Sequence, residues 1–264
     1  MKLNTEKMIA KVEDGIGWVI FNNPERRNAV SLEMWEGVQE ILSAYREDPS
    51  VRVAVLTGAG DKAFVSGADI SEFEKRRNSA AAAEEYEKVS AAGRSALASF
   101  DKPLLAMIRG YCIGGGMAVA LSADIRIASD DSQFAIPAAR LGLGYGLDGL
   151  RRLSGLVGPA MAKDILFTAR RLSAEEALQV GLINRMVGVE ELEATVREYA
   201  GMIAENAPLT IRAAKMAINE GLKDPDERDV EMIEGLVKDC FDSDDYAEGR
   251  RAFMEKRRPV FQGR

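Results

Sequence analysis

Three consecutive glycines, Gly114–Gly116, lie between the apolar run Leu104–Ile108 and the apolar stretch Met117–Ser122. The first run, behind Pro103, suits a buried strand, and the second suits a helix. Asp124–Ala128 reads as another strand. A strand, a glycine loop and a helix start together leave backbone N–H groups unpaired and let a ligand approach closely. Such a place suits a phosphate, or a carbonyl oxygen acquiring negative charge. The same glycines equally suit a tightly packed turn in which side chains would not fit. The stretch Lys102–Asp131 is the part around which the remaining elements are expected to be arranged.

The rest of the composition narrows the chemistry. The 264 residues contain no histidine. Ser-His-Asp and Cys-His nucleophilic catalysis are thereby excluded, as is acid–base work by imidazole. Two cysteines, Cys112 and Cys240, supply neither a disulfide framework nor a zinc site, and they fit a reducing compartment. Cys112 has no basic neighbour in sequence and reads as a small buried hydrophobe. A net charge of −7 argues against nucleic acid or an anionic membrane as the main partner. The N-terminal residues lack the apolar core of a secretory signal, and Gly110–Ala123 is too short and glycine-rich to span a bilayer. A cytoplasmic protein is expected. No GxGxxG follows a predicted strand, no GxxxxGK[ST] occurs, and no metal-ligand cluster is visible.

The elements that would position the glycines alternate in type. Ile16–Phe21 is a strand ending at the turn Asn22-Asn23-Pro24. Ser31 is expected to cap a helix in which Leu32, Trp35, Val38, Ile41, Leu42 and Tyr45 recur at helical spacing, and which stops at Asp48-Pro49. Val51–Leu56 is a buried strand, followed by a loop over Thr57–Lys62 and the glycine-hinged segment Ala63–Ile70. Ser79–Ser99 is alanine-rich and helical, and the glycine-dense Leu141–Leu150 follows Phe134–Ile136. Pro159–Ala169 and Ser173–Gln179 are helices, the second capped by Ser173 and ended by Gly181. After about Glu190 nearly all the sequence is helical. The pattern predicts an α/β core over 1–190 and a helical C-terminal region over 191–264.

With these pieces in place, the chain resembles the enoyl-CoA hydratase/isomerase (crotonase) superfamily along essentially its whole length. The matching segments are Pro24–Ala29 (PERRNA), Thr57–Ile70 (TGAGDKAFVSGADI), Gly110–Gly116 (GYCIGGG), Ala123–Ile127 (ADIRI), Leu166–Gly181 and Ala252–Arg257 (AFMEKR). The resemblance implies a spiral core of repeated ββα units and a C-terminal region that assembles trimers or dimers of trimers. It implies an acyl-CoA substrate, with coenzyme A present only as part of that substrate and no further cofactor or metal. The thioester oxygen would lie between the N–H groups of Ala68 and Gly115, with Asp69, Ile70 and Gly114 among the substrate contacts. Arg26, Phe253 and Lys256 would meet the CoA phosphates and adenine, the tail often serving a neighbouring subunit. Solvated surface is the alternative reading of these basic residues.

One departure changes the expected chemistry. Hydratases of this family resemble one another in carrying two glutamates, and this chain has Ala118 and Ala138 at those places with the spacing intact. Each general acid or base typically contributes about 10²–10⁴-fold, so ordinary hydration should be slow. Decarboxylation of a malonyl-type thioester needs no initiating base, only enolate stabilisation and one acid to reprotonate carbon. Tyr145, in Leu141–Gly146, is the acid/base candidate. Methylmalonyl-CoA decarboxylases of the family are similar here and along the tail, but they carry a histidine at the place of Ala68. Hydrolysis of a specialised acyl-CoA, or binding without turnover, are the other readings. Asp148 is the nearby carboxylate, either reactive or a helix cap, and Arg140 could pair with a substrate carboxylate or form a surface salt bridge.

Overall fold

The apolar runs become a sheet buried on both faces. Its strands are β1 (Met8–Glu13), β2 (Ile16–Phe21), β3 (Val53–Gly58), β5 (Leu104–Ile108), β7 (Ile125–Ser129) and β10 (Arg185–Val187), in the order β1-β2-β3-β5-β7-β10. The β1–β2 pair is antiparallel and the other pairs are parallel. The computed structural model describes residues 1, 3–69 and 80–264, the side chains of 80–83, 85, 86 and 148 excepted. A smaller sheet, β4-β6-β8-β9, is formed by β4 (Ala63–Val65), β6 (Tyr111–Ile113), β8 (Gln133–Ala135) and β9 (Leu172–Ser173).

Successive strand residues face opposite sides, so each face of the large sheet needs its own cover. Val19, Phe21, Ala54, Leu56, Leu104 and Ile108 enter the main core with α1 (Leu32–Glu47). α2 (Ala80–Ala98) packs on α1. Ile16, Trp18, Val53, Val55, Leu105 and Ile127 face the other way, onto Leu192, Val196 and Ala200 of a later helix. The chain order after β6 is α3 (Gly115–Ser122), β7, β8, α4 (Ala138–Leu141), α5 (Leu147–Thr168), β9, α6 (Ala174–Gln179) and β10. The helix on the second face is α7 (Leu192–Ala204), and α8 (Pro208–Gly221), α9 (Val230–Asp242) and α10 (Asp244–Glu255) complete the chain.

Several local expectations shift. α3 begins at Gly115, two residues before the apolar stretch, because the glycine turn itself supplies its first turn. Thr57 and Gly58 belong to β3, through its register with Ile20 and Phe21, and not to a loop. Ser31 occupies the N-cap of α1, but its buried hydroxyl has no hydrogen-bond partner among the described residues and does not cap. Ser173 does cap α6, accepting from the Glu176 amide at 3.1 Å. Pro159 opens a second helical segment, because Gly158 (φ 75°, ψ 160°) breaks α5 immediately before it. Asp148 is not a helix cap: α5 starts at Leu147 with Gly146 at its N-cap, and the Asp148 side chain lies outside the description.

Candidate active site

The glycine turn is held against β4 at a distance only glycine permits. A Cβ on Gly116 would fall 1.9 Å from the carbonyl oxygen of Val65, so any side chain there collides with backbone. Gly114 (φ 56°, ψ −112°) makes the bend between β6 and α3, in a region that disfavours side chains. Its amide donates to the Ala135 carbonyl at 2.8 Å, tying the turn to the end of β8. Pro137 lies beside it, its Cδ 3.9 Å from where a Gly114 Cβ would stand. Ala138, only 6 % exposed, therefore begins α4 next to the turn.

The other wall of the site is the segment after β4. Ala68 forms a parallel bridge with Val30, in which the Val30 amide donates to Gly67 and the Asp69 amide donates to Val30. The Ala68 N–H is left out of that bridge. A Cβ on Gly115 would lie 3.5 Å from the Ala68 nitrogen, so the two segments meet where each has a free amide. Gly115 is the first residue of α3 and finds no acceptor within its own helix. Among the described residues neither N–H donates to a protein acceptor. Two neighbouring donors, one of them at a helix N-terminus, can receive an oxygen that gains negative charge.

Asn28 locks this wall in place, and the sequence reading assigned it no role. It is fully buried with φ 56°, a conformation asparagine tolerates. Its Nδ2 donates to Ala63 O (2.7 Å) and Ala59 O (2.9 Å), and its Oδ1 accepts from the Asn23 amide (2.9 Å). The PERRNA turn is thereby fixed to the β3–β4 connection. The Ser66 amide donates to Arg27 O at 3.1 Å, and the Ser66 hydroxyl donates to Arg26 O at 3.3 Å. The available signal was an asparagine following a basic pair within a turn.

The remaining candidates divide. Ala118 is half-buried in the second turn of α3. Tyr145, 36 % exposed, lies between α4 and α5, and burial raises its phenol above the ordinary tyrosine range. The GYGLDG run beginning at Gly144 follows α4 and not a strand, so it is no dinucleotide turn. Arg26 and Arg140 are exposed and enter no ion pair among the described residues. Cys112 is fully buried, and that burial raises its thiol, which leaves it an inert core residue. Ile70 lies outside the described residues. Phe253 and Lys256 sit at the end of α10, where the chain is held to Arg52, Asp245 and Glu248 rather than to 24–28 or 66–69. No group of three or more Cys, Asp or Glu among the described residues is placed to hold a metal ion, and no described helix is long and apolar enough to cross a membrane.

The same frame recurs in known proteins. The crotonyl-CoA hydratase of Syntrophomonas wolfei is 35 % identical over 97 % of this chain and 98 % of its own. The short-chain-enoyl-CoA hydratase of Clostridium acetobutylicum is 36 % identical over 98 % of this chain and 97 % of its own. A crystal structure of an enoyl-CoA hydratase/carnithine racemase from Magnetospirillum magneticum superposes with a TM-score of 0.90 at 35 % identity, covering 99 % of this chain and 97 % of that one. The family model for enoyl-CoA hydratase/isomerase matches residues 11–264. With that match over nearly its full length, and with the crotonase fold it shares with these structures, the chain belongs to the enoyl-CoA hydratase/isomerase family.

Proposed function

We propose that this protein binds an acyl-CoA thioester, holds its carbonyl oxygen between the N–H groups of Ala68 and Gly115, and stabilises the enolate while adding water poorly. The observation that carries the reading is a pair of neighbouring amides without acceptors among the described residues, with Ala118 and Ala138 in the two helices that begin beside the glycine turn. Two donors stabilise an enolate oxygen, and one such donor typically contributes about 2.7–4 kcal/mol to the barrier. Neither alanine can activate water or deliver a proton to carbon. The named relatives are hydratases, and on this reading the departure from them lies in proton handling and not in thioester binding.

The first experiment follows loss of the enoyl-thioester absorbance of crotonyl-CoA, with the Syntrophomonas wolfei hydratase as control. Turnover at least about 10²-fold below the control is expected, since one acid/base group is worth about 10²–10⁴-fold. Turnover within about tenfold would refute the claim that the alanines remove hydratase chemistry.

A second reading, decarboxylation of a malonyl-type thioester, is favoured by Tyr145. Its half-buried phenol stays protonated at neutral pH and can reprotonate the enolate. Loss of the substrate carboxylate as carbon dioxide leaves the electron pair as the enolate, and the phenol then protonates the α-carbon. Release of carbon dioxide from malonyl-CoA that disappears in Tyr145→Phe supports this reading. Tight binding with no product from either ester class marks a binder without turnover. Assembly into trimers or dimers of trimers is supported by apolar side chains that the single chain leaves exposed on α9 and α10, among them Val230, Phe241 and Met254. Sedimentation at micromolar concentration measures it.

A further inference from the structure

The stretch that carries Tyr145 lies between two glycines of positive φ. Gly142 (φ 65°, ψ 24°) ends α4, and Gly158 (φ 75°, ψ 160°) splits α5 into 147–157 and 159–168. Between them, a Cβ added at Gly144, Gly146 or Gly149 would meet nothing within 4 Å, so no neighbour packs on the backbone there. The half-helix 147–157 reaches the core through Leu153, which is fully buried, and through Val157. α5 in turn packs against α3, the helix that starts at Gly115. Residues 147–157 are thus a separate piece with a glycine bend at each end and Tyr145 just before it.

One polar tie joins this piece to the C-terminal helices. Arg151 Nη2 donates to Leu222 O at 2.8 Å and to Asp224 Oδ1 at 3.2 Å, just past the end of α8. Among the described residues these are the only side-chain hydrogen bonds made from 142–157. A helix end leaves its last carbonyls without helical partners and favours cations. Arg228 takes the neighbouring carbonyls, donating from Nε to Lys223 O (3.0 Å) and from Nη2 to Gly221 O (3.3 Å). Glu220, which is buried, fixes the same turn by accepting from the Asp229 amide (2.9 Å) and from Lys223. The turn is built by these bonds of its own, so Arg151 meets a fixed anchor. The ion pair of Arg151 with Asp224 is largely exposed and adds little to global stability. A tie of that kind places a segment without holding the fold together.

We infer that Arg151 is a positioning residue: through Leu222 O and Asp224 it holds the half-helix 147–157 to the α8–α9 turn, and so fixes where Tyr145 stands relative to the Ala68 and Gly115 amides. This rests on the reading of Tyr145, given above, as the acid that returns the proton. Arg151 itself moves no proton. The C-terminal helices thereby act on the proton step from outside the site.

The test follows carbon dioxide release from malonyl-CoA, beside backbone hydrogen exchange read by mass spectrometry. Arg151→Gln is expected to lower kcat by about tenfold, within the roughly 10²-fold that a misplacement near 1 Å can cost, and to leave KM within about twofold. Amides of 143–157 should exchange faster in this variant, with those of the large sheet unchanged. Arg151→Lys, which keeps a donor for Leu222 O, should recover most of the rate, and Asp224→Ala should give a smaller change in the same direction as Arg151→Gln. Added to Tyr145→Phe, Arg151→Gln should bring no further loss, because it acts through that tyrosine. A folded Arg151→Gln protein with unaltered exchange and kcat, a change confined to KM, or full additivity with Tyr145→Phe would overturn the inference. A wild-type protein that releases no carbon dioxide, or a Tyr145→Phe variant that keeps the full rate, would overturn the proton-donor reading instead, and the exchange measurement still decides whether Arg151 holds the segment.

Discussion

The substitution Gly116→Ala separates a merely tight turn from a working one. The added Cβ would stand 1.9 Å from Val65 O, 2.8 Å from Val65 C and 3.0 Å from Val65 Cβ. Carbon and oxygen in the closest recurring C–H···O contacts keep about 3.3 Å apart, so the turn and β4 must separate by more than about 1 Å. Overpacking of this kind typically costs about 1–3 kcal/mol of stability. Its second effect is local. Val65 and Gly116 are three residues before and one residue after the two amides in question, so separating them pulls the Ala68 and Gly115 donors apart. A misplacement of about 1 Å can cost about 10²-fold in a reaction that depends on alignment. The assay is the near-ultraviolet absorbance of acetoacetyl-CoA enolate formed on binding, read beside a thermal melt. The wild type is expected to enrich the enolate, and Gly116→Ala to lose that enrichment by about tenfold or more, within the 10²–10³-fold that one donor contributes to catalysis. Gly201→Ala is the control, because its added Cβ meets nothing within 4 Å and α7 gains helix propensity. A folded Gly116→Ala protein with the full enolate signal would refute the assignment of the two amides.

Asn28→Ala should lower stability by about 1–3 kcal/mol or more, since it strands buried carbonyls of Ala59 and Ala63, and the loss is read from denaturant unfolding. Alkaline pH should destabilise the fold through Tyr45, whose burial raises its phenol to about 12 while its hydroxyl contacts Trp18 O and Lys11 O. Its contribution is complete below the unfolded value near pH 10 and is lost as pH rises toward 12, and Tyr45→Phe should flatten that limb of the melting curve. Ala118→Glu combined with Ala138→Glu should raise crotonyl-CoA hydration by at least about 10²-fold, at a cost in melting temperature because position 138 is nearly closed to solvent. Either single glutamate should give much less, since water activation and carbon protonation need separate groups.

The large sheet and α1 were legible because burial imposes a strong pattern on their sequence. Ile16–Phe21 is apolar on both faces and forms β2 with those bounds, and Leu32 to Tyr45 repeat at helical spacing because one face of α1 meets the core. β4 was not legible as a strand: three residues are too few to show alternation, and its partner β6 is far along the chain. The glycine turn was legible as a helix start, yet its closest contact, Gly116 with Val65, joins residues no local pattern connects. Ser31 shows the opposite error. Its type and place suit a cap, but its hydroxyl is buried where no acceptor or donor among the described residues reaches it. The pairing of Glu248 with Arg257 was equally hidden, because a carboxylate nine residues before its arginine has no helical reason to meet it until the chain reverses at Lys256.

What holds the two amides together is almost wholly backbone: Gly116 against Val65, Gly114 to Ala135, Val30 to Gly67, and one buried asparagine. None of these contacts uses the side chain of residue 118 or 138. Alanine at both places therefore leaves the scaffold's own bonds intact. The same separation gives the sequence its two kinds of evidence. Glycines and the asparagine report the frame, because backbone approach leaves no choice of side chain. The alanines bear on the proposed chemistry, because neither side chain can transfer a proton. On the proposed reading the two amides hold the thioester oxygen, while the proton source must be argued from Tyr145 and tested on it directly.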